Sequence, residues 1–230
     1  YYPDVHAELE PIYDIIKSLE IDTLGIVYSN EEWGQDMRQE FTTEVTGWSP
    51  SPRVASFPYP LNTDDFSPYI ARTGSAEGIY ISGFAAHLEG LLEALEEIGY
   101  SGTILGPSTL SIPEIRETGK LAGCYVAAPR IYSSEYPFTQ EVKARYEERY
   151  GRSFTHYGAN AYDFLMLLSS ILQEEEPSRK NLKELFDRGF TYSGILGLIH
   201  VEPGERDISF PLFPARIDGR EIRYLVLENE

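Results

Sequence analysis

The sequence has few of the residues that build covalent or metal-centred sites. Its 230 residues include a single cysteine, Cys124, which excludes an intrachain disulfide and a zinc site made of cysteines. The four histidines contain no pair at the H-x-x-x-H spacing typical of a metal-binding helix. We therefore predict that the chain holds no metal ion.

Basic residues and long apolar runs are also scarce. Lysine and arginine number 19 against 37 aspartates and glutamates, which gives a formal net charge of −18. Such a charge repels phosphates, so we expect no nucleic acid as a partner. No apolar run approaches the ~18 residues that cross a bilayer, and we predict no membrane insertion by these residues. The first residues, Tyr1-Tyr2-Pro3-Asp4, resemble no signal peptide, and we expect a processed or cut product.

Motifs of catalysis and of phosphate binding are missing as well. The chain has neither G-x-G-x-x-G nor G-x-x-x-x-G-K-[ST], the turns that surround phosphate with backbone amides, and no serine lies in G-x-S-x-G. We interpret His87 as a solvated helix residue, His156 as an ordinary helix opener and His200 as a structural strand residue. Cys124 lies in an apolar segment, where a thiol is usually inert. We predict no enzyme, no catalytic residue and no cofactor.

The pattern that is present is an alternation of strands and helices over the first ~130 residues. Short apolar runs, typical of strands buried on both faces, alternate with segments of helical spacing. The predicted strands are 23–28, 54–57, 78–82, 103–105 and 121–128, and the predicted helices are 7–18, 33–41, 64–70 and 85–98. This alternation predicts an α/β fold with a Rossmann-like parallel sheet that is flanked by helices on both faces.

The pattern changes after Pro129. Three amphipathic or apolar helices are predicted at 137–150, 156–173 and 178–188, and strands at 195–201, 210–217 and 222–227. Three helices with no strand between them form a poor core by themselves. We therefore expect this segment to pack on another sheet.

A candidate ligand site follows from the strand ends, because open α/β sheets bind ligands beyond the carboxyl ends of their strands. Small hydroxyl residues and aromatic residues follow three of the predicted strands, a combination that suits a small polar ligand with an apolar portion. The alternative is that the polar residues only cap helices and that the tryptophan packs in the core. The residues at these three strand ends are Ser29, Asn30 and Trp33 after the first, Ser82, Gly83 and Phe84 after the second, and 106–109 after the third.

Eight segments, in order, carry a resemblance to a known family. They are 23–34, 65–67, 78–84, 105–107, 123–129, 146–151, 159–163 and 194–197, the last followed by Pro203-Gly204. The chain resembles the type I periplasmic solute-binding proteins of the branched-chain amino-acid (Leu/Ile/Val-binding-like) ABC transporter group. The resemblance implies two lobes joined by hinge crossings. It implies a complete second lobe at 1–129 plus about 205–230, with 130–204 as the remainder of a first lobe whose opening part is missing.

The resemblance also implies a function. The implied function is that of the extracytoplasmic solute-binding component of an ABC importer. The implied location is the periplasm or the cell surface, with anchoring through a missing N-terminal segment. Such a protein holds an amino acid or a related small acid or amide in a cleft between its lobes and delivers it to a membrane permease. The alternative is a ligand-sensing domain of the same fold in a signalling receptor or regulator.

Site residues are implied by the same resemblance. Trp33 matches an aromatic residue that covers the ligand, and Phe84 matches an aromatic residue after a glycine. Ser108 matches a position where amino-acid binders often hold an acid that pairs with the ligand's ammonium. A hydroxyl cannot neutralise a desolvated ammonium, so a neutral or anionic ligand is at least as well supported as an amino acid. The predicted ligand-binding set is Ser29, Asn30, Trp33, Gly83, Phe84, Ser108 and Tyr157.

Overall fold

The computed structural model describes residues 3–174 and 178–227, and the chain divides into two compact units. One unit comprises residues 8–128 and the chain from Phe213 onward, and the other comprises the chain up to Ala7 and residues 129–212. The helices are α1 Val5–Ser18, α2 Glu32–Thr46, α3 Ser67–Ile70, α4 Ala85–Glu97, α5 Pro113–Arg116, α6 Pro137–Tyr150, α7 His156–Glu174 and α8 Arg179–Arg188. The strands are β1 Thr23–Ser29, β2 Arg53–Tyr59, β3 Gly78–Ser82, β4 Thr103–Gly106, β5 Tyr125–Ala128, β6 Phe190–Gly194, β7 Gly197–Val201, β8 Phe213–Asp218 and β9 Glu221–Tyr224.

The unit that begins at Glu8 is built on a seven-stranded sheet. Its strand order is β2-β1-β3-β4-β5-β8-β9; β1 to β5 are parallel, β8 is antiparallel to β5, and β9 is antiparallel to β8. Parallel neighbours need a crossover connection, which the helices between them provide. This architecture confirms the predicted α/β fold with a mostly parallel sheet.

Apolar periodicity explains why these elements bury the faces they do. Every residue of β3 is buried, as is every residue of β1 after its first, so helices cover these central strands on both sides. Helix α1 contributes Leu9, Ile12 and Ile16, and helix α4 contributes Leu88 and Leu95, each no more than 1% exposed. Each such side chain stabilises the unit by about 1.5–3 kcal/mol relative to an exposed one.

The other unit combines α6, α7 and α8 with a β-hairpin that only partly matches the prediction. A strand was predicted at 195–201, whereas the chain forms β6 and β7 with Ile195 and Leu196 in the turn between them. The carboxylate of Asp163 on α7 is fully buried and accepts the backbone N–H groups of Ile195 (2.8 Å) and Leu196 (2.9 Å). A Cβ at Gly194 would lie 2.3 Å from that carboxylate. The family-like segments 159–163 and 194–197 therefore meet for a structural reason.

Some predicted boundaries differ from the observed ones. The strand predicted at 121–128 begins only at Tyr125, because Gly123 has a φ of +94° and turns the chain. Ile208 and Phe210 pack into the core of the helical unit, and the chain returns to the large sheet at Phe213. Within the described ranges, no helix has the length and hydropathy needed to cross a bilayer.

Candidate functional site

The carboxyl ends of β2, β1 and β3 form a continuous edge in the unit that begins at Glu8. In the parallel register, Ser29 lies beside Tyr59, and Tyr28 lies beside Ser82. The Tyr59 hydroxyl donates to the Ser82 carbonyl at 3.0 Å, and the Asn30 N–H donates to the Tyr59 carbonyl at 2.7 Å. These two bonds hold the three strand ends together at the edge where the sequence predicted a ligand.

At the end of β1, the turn into α2 is organised by Glu31. Its carboxylate accepts the N–H groups of Trp33 (2.9 Å) and Gly34 (2.7 Å) and the hydroxyl of Ser29 (2.9 Å). The helix cap is therefore Glu31, and the alternative in which Ser29 and Asn30 only cap this helix is wrong. A Cβ at Gly34 would lie 2.0 Å from the Ser29 carbonyl oxygen, so the glycine of the Trp-Gly pair permits close packing. Trp33 is 37% exposed and is not a core residue.

An aromatic cluster lies at the ends of β2 and β3. The buried Tyr59 ring packs edge-on against Phe66 (5.1 Å) and His87 (5.4 Å), and Phe84 packs edge-on against His87 (5.9 Å). Burial raises the pKa of Tyr59, which keeps its hydroxyl neutral. A Cβ at Gly83 would lie 1.9 Å from that hydroxyl, so only glycine fits there. The half-buried His87 belongs to this cluster, and its interpretation as a solvated residue was wrong.

Two aromatic side chains at this edge remain open to solvent. Phe84 is 53% exposed and stands immediately before α4, and Trp33 is in the first turn of α2. The Asn30 side chain is also exposed, and its oxygen accepts a hydrogen bond from Gln35 at 3.0 Å. The edge therefore offers apolar faces from two neighbouring strand ends, while Ser29 and Ser82 are buried.

Beyond β4, Ser108 is paired with a buried glutamate that the sequence analysis missed. The Ser108 hydroxyl donates to Glu8 Oε1 at 2.6 Å, and its N–H donates to Glu8 Oε2 at 2.9 Å. Ser108 and Glu8 are 0% and 2% exposed. Burial raises the pKa of Glu8 from 4.5 to about 7, although the bonds from Ser108 oppose that rise. The signal in the sequence was the position of Glu8, next to Leu9 and four residues before Ile12, which places the glutamate on the buried, apolar face of α1.

Tyr157 is the one predicted site residue in the helical unit. It is 49% exposed in the first turn of α7, and its ring centroid is 4.2 Å from that of His156. His156 is fully buried, and burial lowers its pKa to about 4, which keeps it neutral. The other six predicted residues lie at one edge of one sheet.

The described residues offer little for metal or redox chemistry. No group of three or more His, Cys, Asp or Glu side chains among them could hold a metal ion. Cys124 is 3% exposed, and burial raises its pKa to about 12, so its thiol is not activated.

The mostly parallel central sheet flanked by helices is the fold of the type I periplasmic binding proteins. Residues 1–221 match the periplasmic binding protein family, and the chain belongs to that family. This confirms the resemblance found in the sequence. The family consists of extracytoplasmic solute-binding proteins of ABC transporters, not enzymes.

Several solved structures share the fold at low sequence identity. A solute-binding protein of an ABC transporter from Rhodopseudomonas palustris BisB5, in complex with 3,4-dihydroxy benzoic acid, has a TM-score of 0.79 at 19% identity, covering 96% of this chain and 63% of that one. A leucine-binding protein from Thermotoga maritima has a TM-score of 0.80 at 18% identity, covering 98% of this chain and 66% of that one. A leucine-, isoleucine-, valine-, threonine- and alanine-binding protein from Brucella ovis has a TM-score of 0.80 at 16% identity, covering 97% of this chain and 62% of that one.

The chain thus spans roughly two thirds of the length of these structural relatives, 63% in the first case. A search among curated proteins found no match.

Proposed function

We propose that this chain is part of the solute-binding component of an ABC importer, which works outside the cytoplasm and delivers its ligand to a membrane permease. Family membership supports this role. The observation that carries it is the carboxyl edge of the sheet, where Trp33 and Phe84 present open aromatic faces beside strand ends at which the Ser29 and Tyr59 hydroxyl groups are already hydrogen-bonded within the protein. A site that binds without reacting needs such faces and no activated nucleophile.

We propose distinct roles for the predicted site residues. Trp33 and Phe84 contact the apolar portion of the ligand, and Asn30 is a further exposed contact at the same sheet edge. Tyr157, which is exposed on α7 of the other unit, stays a prediction from the resemblance. The other three residues are buried or closely packed, and we propose that they stabilise the conformation of the strand ends. They are Ser29, Gly83 and Ser108. The residues of this sheet edge that we propose contact the solute are therefore Asn30, Trp33 and Phe84.

The ligand class that we favour is a small carboxylic acid or amide with an apolar or aromatic body. At the position where the resemblance implies an ammonium-binding acid, Ser108 is closed off by its two bonds to Glu8. Two Rhodopseudomonas palustris relatives were solved with 3,4-dihydroxy benzoic acid and p-hydroxybenzoic acid, which have this chemistry. The leucine-binding relatives make aliphatic amino acids the alternative to test.

The test is a binding measurement on the full-length protein with p-hydroxybenzoic acid and leucine as probes. Calorimetry should detect a 1:1 complex with the aromatic acid. Trp33→Ala and Phe84→Ala should each weaken it by about tenfold or more, because large aromatic contacts dominate binding energy. Phe138→Ala is the matched control, since Phe138 is 61% exposed in the other unit.

Three outcomes would count against the proposal. If Trp33→Ala lowers the melting temperature strongly but leaves affinity unchanged, Trp33 has a packing role. If leucine binds and the aromatic acid does not, the ligand class is wrong while the receptor role stands. If neither probe nor any other small acid, amide or amino acid binds, the receptor role itself fails.

A further inference from the structure

A cavity of about 680 Å³ opens at the amino ends of the sheet's parallel strands, opposite the carboxyl ends where the solute site is proposed. Asp22 and Pro52, which immediately precede β1 and β2, line it, so it lies at the amino ends of these parallel strands. Its walls are the end of α1 and the segment that follows α2. The volume falls within the ~300–1,000 Å³ typical of small-molecule sites.

In the segment that follows α2, the cavity is lined by Trp48, and the indole of this residue is held in a fixed orientation. Trp48 packs edge-on against the buried Tyr13, with ring centroids 5.8 Å apart, and its indole N–H donates to Glu44 at 3.0 Å. The ammonium nitrogen of Lys17 stands 4.5 Å from the centroid of the Trp48 ring. The ring face therefore already receives a cation, supplied by the protein itself.

The charges around this cavity favour a positive ligand. Lys17, Glu20 and Asp22 line it with two carboxylates against one ammonium, and all three residues are exposed. Among residues 3–174 and 178–227, none of these three side chains forms an ion pair, so neither carboxylate has a cation of its own. The buried Ile16 and Ile21 add an apolar floor.

We propose that this cavity is a second binding site, for a small organic cation of the alkylammonium class. The cationic group stacks on Trp48 in the place that Lys17 occupies, between the carboxylates of Glu20 and Asp22. The alkyl portion lies against Ile16 and Ile21. Lys17 is then an internal competitor, which must leave the ring before the ligand binds.

Choline is the probe, and fluorescence of Trp48 is the signal. The chain has two tryptophans, so in a Trp33→Phe background Trp48 is the only indole. At constant ionic strength, choline should change the emission in a saturable manner. Its uncharged isostere, with a tert-butyl group in place of the trimethylammonium, should not. Equal responses to the two compounds, or no saturable response to choline, would overturn the proposal.

Substitutions distinguish this site from general attraction to an acidic protein. Lys17→Met removes the competitor and keeps an unbranched side chain, so choline affinity should rise by about two- to fivefold. The double substitution Glu20→Gln and Asp22→Asn should weaken binding by at least as much. Lys180→Met makes the same change of charge at an exposed site in the other unit and should leave choline affinity unchanged. An identical gain from Lys180→Met, or no gain from Lys17→Met, would refute the site.

Discussion

Substituting Glu8 by glutamine should make the unit that contains it more stable at neutral and alkaline pH. Glutamine preserves the shape of the side chain and both bonds to Ser108, because its oxygen can accept the N–H and its amide can donate to the hydroxyl. The substitution removes only the ability to ionise. Burial raises the pKa of Glu8 to about 7, and its charge contributes, after burial, to raising the pKa of the fully buried Tyr80.

The size and sign follow from proton linkage. Between pH 4.5 and about 7 the folded protein keeps a proton on Glu8 that the unfolded chain has released. The stability that protonated Glu8 allows is fully present below pH 4.5. It falls as the pH rises from 4.5 through 7 and stays lost above that range. At about 1.4 kcal/mol for each of the 2.5 pKa units between 4.5 and about 7, the wild-type protein loses about 3.5 kcal/mol at most that Glu8→Gln retains.

The assay is urea unfolding at a series of pH values from 4 to 9. Trp33 and Trp48 both lie in the unit that begins at Glu8, so tryptophan fluorescence reports its unfolding. The free-energy difference between variant and wild type should grow across the window and level off above it. Glu10→Gln, an exposed change on the same helix, is the control and should show no such growth. Parallel curves for Glu8→Gln and wild type would refute the reasoning.

Three further results are expected. Gly83→Ala should lower the free energy of unfolding by about 1–3 kcal/mol, because its Cβ would overlap the Tyr59 hydroxyl; a urea titration that matches wild type would contradict this. Asp163→Ala should cost about 2–4 kcal/mol, since two buried N–H groups lose their charged acceptor, and circular dichroism of thermal unfolding would measure the loss. Cys124 should resist alkylation by iodoacetamide in the folded protein and react in urea, as mass spectrometry can follow; fast labelling without denaturant would show that the thiol is accessible.

Local pattern was sufficient for most elements of this fold. Helices α6, α7 and α8 lie within a residue of their predicted ends, and four predicted strands of the parallel sheet lie inside or within a residue or so of the observed ones. Of the hairpin β6–β7, only the second strand was predicted. Strand β6 was missed because residues 190–194 alternate in exposure and contain no apolar run that would indicate a strand. Its turn depends on Asp163, some 30 residues earlier, and no local pattern encodes that contact.

The sequence by itself determined the family, the parallel α/β sheet and the edge at which a ligand is expected, since periodicity and strand ends are local properties of the chain. Tertiary structure decided which residues at that edge are available. Ser108 was predicted to bind ligand, but its hydroxyl is bonded to Glu8, 100 positions away. Trp33 had packing in the core as its alternative, but its side chain is exposed. The reason is physical: periodicity tells which face of an element is buried, but the partner of a polar side chain depends on elements that are distant in the chain and meet only after folding.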